Sequence, residues 1–330
     1  MTAPLLSVRN LVKLYGGRGG PFSKAAAAIR AVDDVSFDIA SGEVVGLVGE
    51  SGSGKSTVGR TVLRLNEPTS GAISFDGEEL TRATPARMRA LRRDMQIIFQ
   101  DPFSSLNPRA RVEEIIGEAV DLRGPLPRGE RRASVVRMLE HVSLSADHLR
   151  RFPHEFSGGQ RQRLSIGRAL AARPRLIVAD EPVAALDVSI QAQIMNLIAA
   201  LQRETQVAML FISHDLGLVE FIADRVMVMY LGRVVETAPT REIYRRPRHP
   251  YTRALLAATP SIDPRAARAR PRVLLRGEPP SPANPPSGCA FRTRCAFALE
   301  ACAVARPALR DIGGGHQHAC LRDDIDTPRV

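Results

Sequence analysis

The chain has 330 residues, 44% hydrophobic and 25% charged, an ordinary globular composition with length for one large α/β core and an appendage. The net charge is +11, but the basic residues spread through several segments (Arg82–Arg93, Arg123–Arg137, Arg241–Arg253), aromatic residues are 5% and Trp is absent. That pattern argues against a stacking platform for single-stranded nucleic acid, so no nucleic-acid partner is expected. Met1–Arg9 lacks the charged start and long apolar core of a signal peptide, and no apolar run is long enough to span a bilayer. The chain is therefore expected in the cytosol or held at a membrane by partners.

In chain order, residues 5–40 read as strands, with Tyr15 beside a glycine- and alanine-rich stretch, Gly16–Ala28, that reads as a mobile loop. Val35–Ile39 alternates apolar and polar residues. Gly71–Gly77 has the same habit and ends in Asp-Gly, a turn signal, so a small antiparallel sheet is predicted. Glu43–Val48 reads as a buried strand and Val58–Leu65 as a helix. Between them Gly49, Glu50, Ser51, Gly52, Ser53, Gly54, Lys55, Ser56 and Thr57 have the spacing G-x-x-x-x-G-K-[ST] of a phosphate-binding loop. The glycines let the backbone turn its N–H groups inward, and the helix that follows aims its positive end at the same point. Lys55 is placed to reach the β- and γ-phosphates, and Ser56 to offer its hydroxyl to Mg²⁺.

Residues 85–170 are mostly helical in pattern and predict an inserted helical subdomain, placed at about 98–170. Inside it Ser157 is a good N-cap and Gln160 sits at the capping-box position; the helix runs to about Ala172 and is stopped by Pro174. A helix that opens with Gly158 and Gly159 exposes bare N–H groups, a second anion site. One nucleotide can use both sites only if another chain supplies the second. Leu176–Ala179 and Val207–Ile212 have the signature of fully buried parallel strands, the first ending in Asp180 and Glu181, the second in Ser213 and His214. Helical sequence at Ile190–Thr205 separates them, so the fold class is α/β, with chemistry expected at the carboxyl ends of the strands. Asp180 fits a carboxylate that holds Mg²⁺, and Glu181 a general base that polarises water.

After about Gly232 the pattern weakens. Glu278–Gly288 reads as a stiff proline-rich linker, and all four cysteines, Cys289, Cys295, Cys302 and Cys320, follow it. In a cytosolic chain, four thiols in one short tail suggest a metal or iron–sulfur site rather than disulfides, with His316 and His318 as competing ligands. Their spacing is not a standard zinc pattern.

Taken together, these stretches resemble the ATP-binding subunits of ABC transporters over about residues 5–240. Gly49–Thr57 matches the Walker A loop, Gln100 within Ile97–Pro102 the Q-loop glutamine, and Ser157–Gln160 the signature motif, with Phe156 where Leu is commoner. Leu176–Asp180 matches Walker B, Glu181 the catalytic glutamate, Ala185–Asp187 the D-loop, His214 the switch histidine, and Tyr15 the aromatic residue that stacks on adenine. Gln100–Arg109, Glu181–Gln193 and His249–Leu256 are similar to the oligopeptide/dipeptide importer branch, closer to its second ATPase than to its first. Ala184 departs from the pattern, where the family often has Ser.

The resemblance implies a P-loop NTPase (RecA-like) core with a small antiparallel β subdomain, a helical subdomain and a cysteine-bearing extension. The ATP-binding domain would span 1–240 and the extension 241–330. It implies ATP held by the Walker A loop and Tyr15 in one chain and by Ser157–Gln160 of the other, with Mg²⁺ at Ser56, Gln100 and Asp180. Lys55, Gln100, Glu181 and His214 would be catalytic, and the four cysteines would hold a 4Fe-4S cluster. The expected partners are a second ATPase subunit, a different chain in the heterodimer expected here or else another copy of this one, two transmembrane permease subunits and an extracytoplasmic solute-binding protein, at the cytoplasmic face of the membrane. Peptides are the expected cargo, with nickel or glutathione moved by similar ATPases. A soluble ABC ATPase acting on nucleic acid or ribosomes is the alternative, though the long coiled coils or second ATPase module usual there are not visible.

Overall fold

The computed structural model describes residues 3–16, 28–258 and 277–325. Its elements in order are β1 (Leu6–Tyr15), β2 (Ile29–Ile39), β3 (Val44–Val48), α1 (Lys55–Val62), β4 (Ser70–Phe75), β5 (Glu78–Glu79), α2 (Pro85–Leu91), β6 (Met95–Ile98), α3 (Pro102–Ser105), α4 (Val112–Asp121), α5 (Arg128–His141), α6 (Gly158–Ala171), β7 (Leu176–Asp180), α7 (Val188–Thr205), β8 (Ala208–Ser213), α8 (Leu216–Ile222), β9 (Arg225–Tyr230), β10 (Arg233–Pro239), α9 (Thr240–Arg245) and α10 (Pro250–Ala258). Two short strands, β11 (Arg310–Asp311) and β12 (Gln317–His318), lie in the tail. The chain divides into two units. The first comprises Met1–Leu6, Ile39–Val44 and Phe75–Ile212; the second comprises Ser7–Asp38, Val45–Ser74 and Ser213–Val330.

In the first unit β6 pairs in parallel with β7 (Met95 opposite Leu176) and β7 with β8 (Leu176 opposite Ala208). Every residue of β7 and β8 is buried, which is why they read as continuous apolar runs: helices cover both faces of such a sheet. The helical stretch packs α4, α5 and α6 on one another, and Ile115, Ile116, Val135, Leu139, Leu164 and Ile166 on these helices are all buried. Each of those side chains contributes about 1.5–3 kcal/mol relative to leaving it in water. The Asp-Gly signal marks a turn as expected: Asp76 and Gly77 have φ of 52° and 80°, the two positive values of a type I′ hairpin. Arg175 pairs with the Asp76 carboxylate in a fork and anchors that turn to the start of β7.

In the second unit β1 lies between β2 and β4, the small sheet that the alternating stretches predict. A second sheet runs β11-β12-β10-β9-β3. It is parallel where β3 meets β9 (Val45 opposite Arg225) and antiparallel from β9 onward (Tyr230 opposite Arg233). The tail adds its own strand here, β12 to β10, with Glu236 opposite His318. The tail also inserts Phe291 against Tyr230 and Tyr251, ring centroids 5.3 Å apart in both cases. Glu278–Gly288 holds no helix or strand, only a turn at Ser281–Asn284, as a proline-rich linker should. The predicted mobile loop, but for Gly16 and Ala28, lies outside the described residues.

Candidate functional site

The phosphate loop follows β3, all five residues of which are buried. Its geometry depends on absent side chains. A methyl group on Gly54 (φ 104°) would stand 2.0 Å from the Ala31 carbonyl oxygen, and one on Gly49 would stand 2.2 Å from that of Met229. Gly54 is also the N-cap of α1, so no side chain caps that helix. Lys55, 4% exposed, curls back across the loop and donates from Nζ to the carbonyls of Gly49 (2.8 Å) and Glu50 (2.9 Å). Ser53 Oγ is buried with no hydrogen-bond partner among the described residues. An open helix N-terminus, a buried cation and an orphaned hydroxyl form a donor set that fits a polyphosphate and its metal. Ser51 is exposed at the rim, while Ser56 and Thr57 are half-buried.

Also in the second unit, Tyr15 ends β1 at 39% exposure. Its Oη accepts from Asn66 Nδ2 at 2.9 Å, and Lys13 Nζ lies 5.0 Å from its ring centroid. His214 is exposed just past β8. Asp215 beside it accepts from the Gly217 N–H at 2.8 Å and starts α8.

In the first unit Asp180 ends β7 and is 1% exposed. Glu181 follows with φ 49°, a conformation that costs a non-glycine residue about 1–3 kcal/mol and turns its carboxylate off the strand line. Its N–H donates to the Ile212 carbonyl (3.0 Å), which fixes that turn to β8. Gln100 Nε2 donates to Glu181 Oε2 at 3.4 Å, so these two predicted residues meet. Ala184, at the D-loop departure, is half-buried and donates its N–H to the Glu181 carbonyl at 3.3 Å.

At α6 the capping box forms as the spacing predicts. The Gln160 N–H donates to Ser157 Oγ (3.3 Å), and the Ser157 N–H donates to Gln160 Oε1 (3.1 Å). Gly158 is exposed and Gly159 half-buried; a methyl group on Gly159 would meet Ile190 Cγ2 at 2.7 Å.

The tail gives a mixed outcome. Cys289, Cys295, Cys302 and Cys320 form no disulfide and line one small pocket with His249, Phe291 and Phe297. Burial raises the thiols of Cys289 and Cys320 and pushes that of Cys295 up to about 11. Yet among the described residues no three His, Cys, Asp or Glu side chains are arranged to hold a metal ion, so the geometry gives the 4Fe-4S expectation on Cys289, Cys295, Cys302 and Cys320 no support. Nor do the two histidines serve as rival ligands. His316 Nε2 lies 2.7 Å from Glu236 and His318 Nε2 lies 3.1 Å from Asp323. Burial opposes the Glu236 charge, but His316 and the N–H groups of Arg248 and His249 hold its carboxyl below the usual range. Burial pushes the neighbouring His249 imidazole down to about 4.

Two residues outside the nucleotide motifs also reach the phosphate loop. Tyr251 Oη accepts from the Glu50 N–H at 2.9 Å, and Arg294 grips the Glu50 carboxylate with a two-pronged ion pair. Tyr251 falls in the branch stretch His249–Leu256, but nothing local ties it to the loop, and no pattern marks Arg294.

Comparison with known proteins places these features in one family. Residues 32–184 match the family described as ABC transporter, and residues 235–302 match the oligopeptide/dipeptide transporter C-terminal region. The chain is 56% identical to a Brucella ovis protein provisionally named as a peptide import ATP-binding protein, over 98% of this chain and 99% of that one. It is 47% identical to the Bacillus subtilis oligopeptide transport ATP-binding protein AppF, over 96% of each. Among solved structures it matches the ATP-binding cassette MJ0796, a dimer bound to ADP and Pi in a post-hydrolysis state, with TM-score 0.63 and 30% identity over 72% of this chain and 99% of that one. CbiO1 of Clostridium perfringens, part of a cbiONQ transporter complex, matches with TM-score 0.61 and 28% identity over 73% and 90%. No described helix is long and apolar enough to cross a membrane. With the P-loop α/β fold, the motif residues at its strand ends and a C-terminal region shared with peptide transporters, the chain belongs to the ABC transporter ATP-binding family, in its oligopeptide/dipeptide branch.

Proposed function

We propose that this chain is an ATP-hydrolysing subunit that powers import of di- or oligopeptides across the cytoplasmic membrane. The carrying observation is similarity that runs through the nucleotide region and on through residues 235–302, the part shared with oligopeptide/dipeptide transporters. That C-terminal match also favours transport over a soluble ATPase acting on nucleic acid or ribosomes, and the relatives' names favour peptides over nickel or glutathione.

In this reading the ATP-binding domain is 1–240, with its helical subdomain at about 98–170, and the transporter-specific extension is 241–330. Residues Gly49–Thr57 cradle the phosphates, and Tyr15 stacks on the adenine. Ser56, Gln100 and Asp180 hold Mg²⁺, which neutralises phosphate charge. Glu181 orients and deprotonates the attacking water, while Gln100 and His214 sense the γ-phosphate. Ser157, Gly158, Gly159 and Gln160 of one subunit close on the nucleotide of its partner: Ser157 Oγ accepts from its own helix and keeps its proton to donate. The partner ATPase is a second, different chain. Two permease subunits and an extracytoplasmic binding protein complete the importer, and this subunit sits peripherally on the cytoplasmic face. Purification of the intact complex identifies those chains directly.

Glu181→Gln in the assembled transporter is expected to keep ATP binding and lower hydrolysis about 10²–10⁴-fold. Normal turnover in that variant overturns the assignment. The iron–sulfur reading of the tail rests only on the four thiols sharing a pocket. Anaerobic purification with iron and sulfide assay decides it, and a colourless, iron-free protein removes it.

A further inference from the structure

Glu50 follows directly on Gly49, and it is held at three points. Its N–H donates to Tyr251 Oη (2.9 Å) and its carbonyl accepts from Lys55 Nζ (2.9 Å). Its carboxylate takes both prongs of Arg294, Nη1 to Oε2 at 2.6 Å and Nη2 to Oε1 at 2.9 Å. Two of these three holds come from beyond residue 240. Arg294 is a built feature rather than a surface arginine that chanced on a partner. Its side chain is only 4% exposed, and its Cζ lies 6.0 Å from the Tyr230 ring centroid. A tight turn sets its position: the Arg292 N–H donates to the Cys289 carbonyl and the Arg294 N–H to that of Phe291. Phe291 in turn packs on both Tyr230 and Tyr251, whose rings also meet each other at 4.7 Å, so the same aromatic cluster places both residues that hold Glu50.

The loop has an electrostatic problem that this arrangement answers. Its N–H groups and Lys55 are arranged for a polyanion, yet Glu50 puts a carboxylate within it. As a general scale, an uncompensated charge about 10 Å from a phosphate, at an effective dielectric of about 20, weakens its binding by on the order of ten-fold. A guanidinium cancels that charge, and its fork fixes where the carboxylate points.

We propose that Arg294 is a positioning residue for nucleotide binding: the C-terminal extension reaches back to the phosphate loop, where Arg294 neutralises and orients Glu50 while Tyr251 holds the loop's backbone. The affinity of the loop for ATP therefore depends on the folded tail. This rests on the reading of residues 49–57 as the ATP site.

The test is titration of the full-length chain with trinitrophenyl-ATP and Mg²⁺. The unmodified chain binds; a failure there removes the reading of the loop itself. Arg294→Gln raises Kd about ten-fold. Arg294→Lys, which keeps a positive charge beside the Glu50 carboxylate but not the fork, raises Kd by only about three-fold. In the assembled transporter the Arg294→Gln change falls on KM for ATP more than on kcat. Arg294→Gln binding as tightly as the unmodified chain overturns the proposal. So does Arg294→Lys as weak as Arg294→Gln, because the loss would then come from tail folding and not from an unneutralised carboxylate.

Discussion

Two helices in this protein begin with glycines, and they do so for different physical reasons. At α1 the N-cap is Gly54 in the left-handed region, and at Gly49 and Gly54 the loop is packed against the Met229 and Ala31 carbonyls so closely that no side chain fits. At α6 the N-cap is Ser157 in extended backbone, reciprocally bonded with Gln160, and Gly159 is small because Ile190 lies over it. The first start has no side-chain cap. The second satisfies part of its own need, and what it can offer a ligand is a hydroxyl proton and the remaining backbone donors. A glycine-rich helix start is thus two different devices, a cradle in one place and a self-capped contact surface in the other.

Substitutions can break this contrast. Gly54→Ala strikes the cradle hardest, because it combines a positive φ with a 2.0 Å contact. It is expected to abolish nucleotide binding in a titration and to cost about 2–4 kcal/mol in a denaturant melt. Near-normal binding would mean that the loop is not a tight cradle. Ser157→Asp tests the other helix more finely, since Asp caps as well as Ser but carries a negative charge. Stability should stay within about 0.5 kcal/mol. ATP hydrolysis by the assembled transporter should fall about 10²-fold, because a donor to the partner's nucleotide becomes an acceptor. Ser157→Ala, by contrast, should cost about 1 kcal/mol of stability. If Ser157→Asp hydrolyses ATP normally, the hydroxyl is a cap and nothing more. Gly159→Ala is the mildest change, about 1 kcal/mol, because the atom it meets is the branch of one half-buried side chain. Ile190→Ala in the same chain should recover the loss. A large fall in hydrolysis with no fall in stability would show that backbone approach, not packing against Ile190, is what Gly159 provides.

The same contrast explains what could be read from the sequence. The α6 cap was legible because both partners lie three residues apart and the signal is purely local. The phosphate loop was legible because glycine spacing records a backbone shape directly. The meeting of Gln100 and Glu181, 81 residues apart, came only through family motifs. The contacts of Arg294 and Tyr251 with Glu50 were beyond reach, at 244 and 201 residues' separation. A single arginine among 46 Lys and Arg residues carries no distinguishing mark. His316 and His318 misled for a related reason. Their closeness in sequence to Cys320 suggested shared ligation, but pairing of β12 with β10 carries them to the region of Glu236. Chain neighbours and spatial neighbours diverge where a tail adds a strand to an existing sheet edge.

The ion pair between Glu50 and Arg294 closes a loop of the chain 244 residues long. Residue 294 leaves the ribosome well after the phosphate loop has been made, and a contact of such high order forms late in folding. A chain interrupted or clipped ahead of that arginine would keep every motif of the nucleotide site and still present it with an unanswered negative charge. In that sense the tail acts as a completeness check: only the finished polypeptide would compete well for ATP, and unfinished copies would occupy a place in the transporter without readily closing on nucleotide.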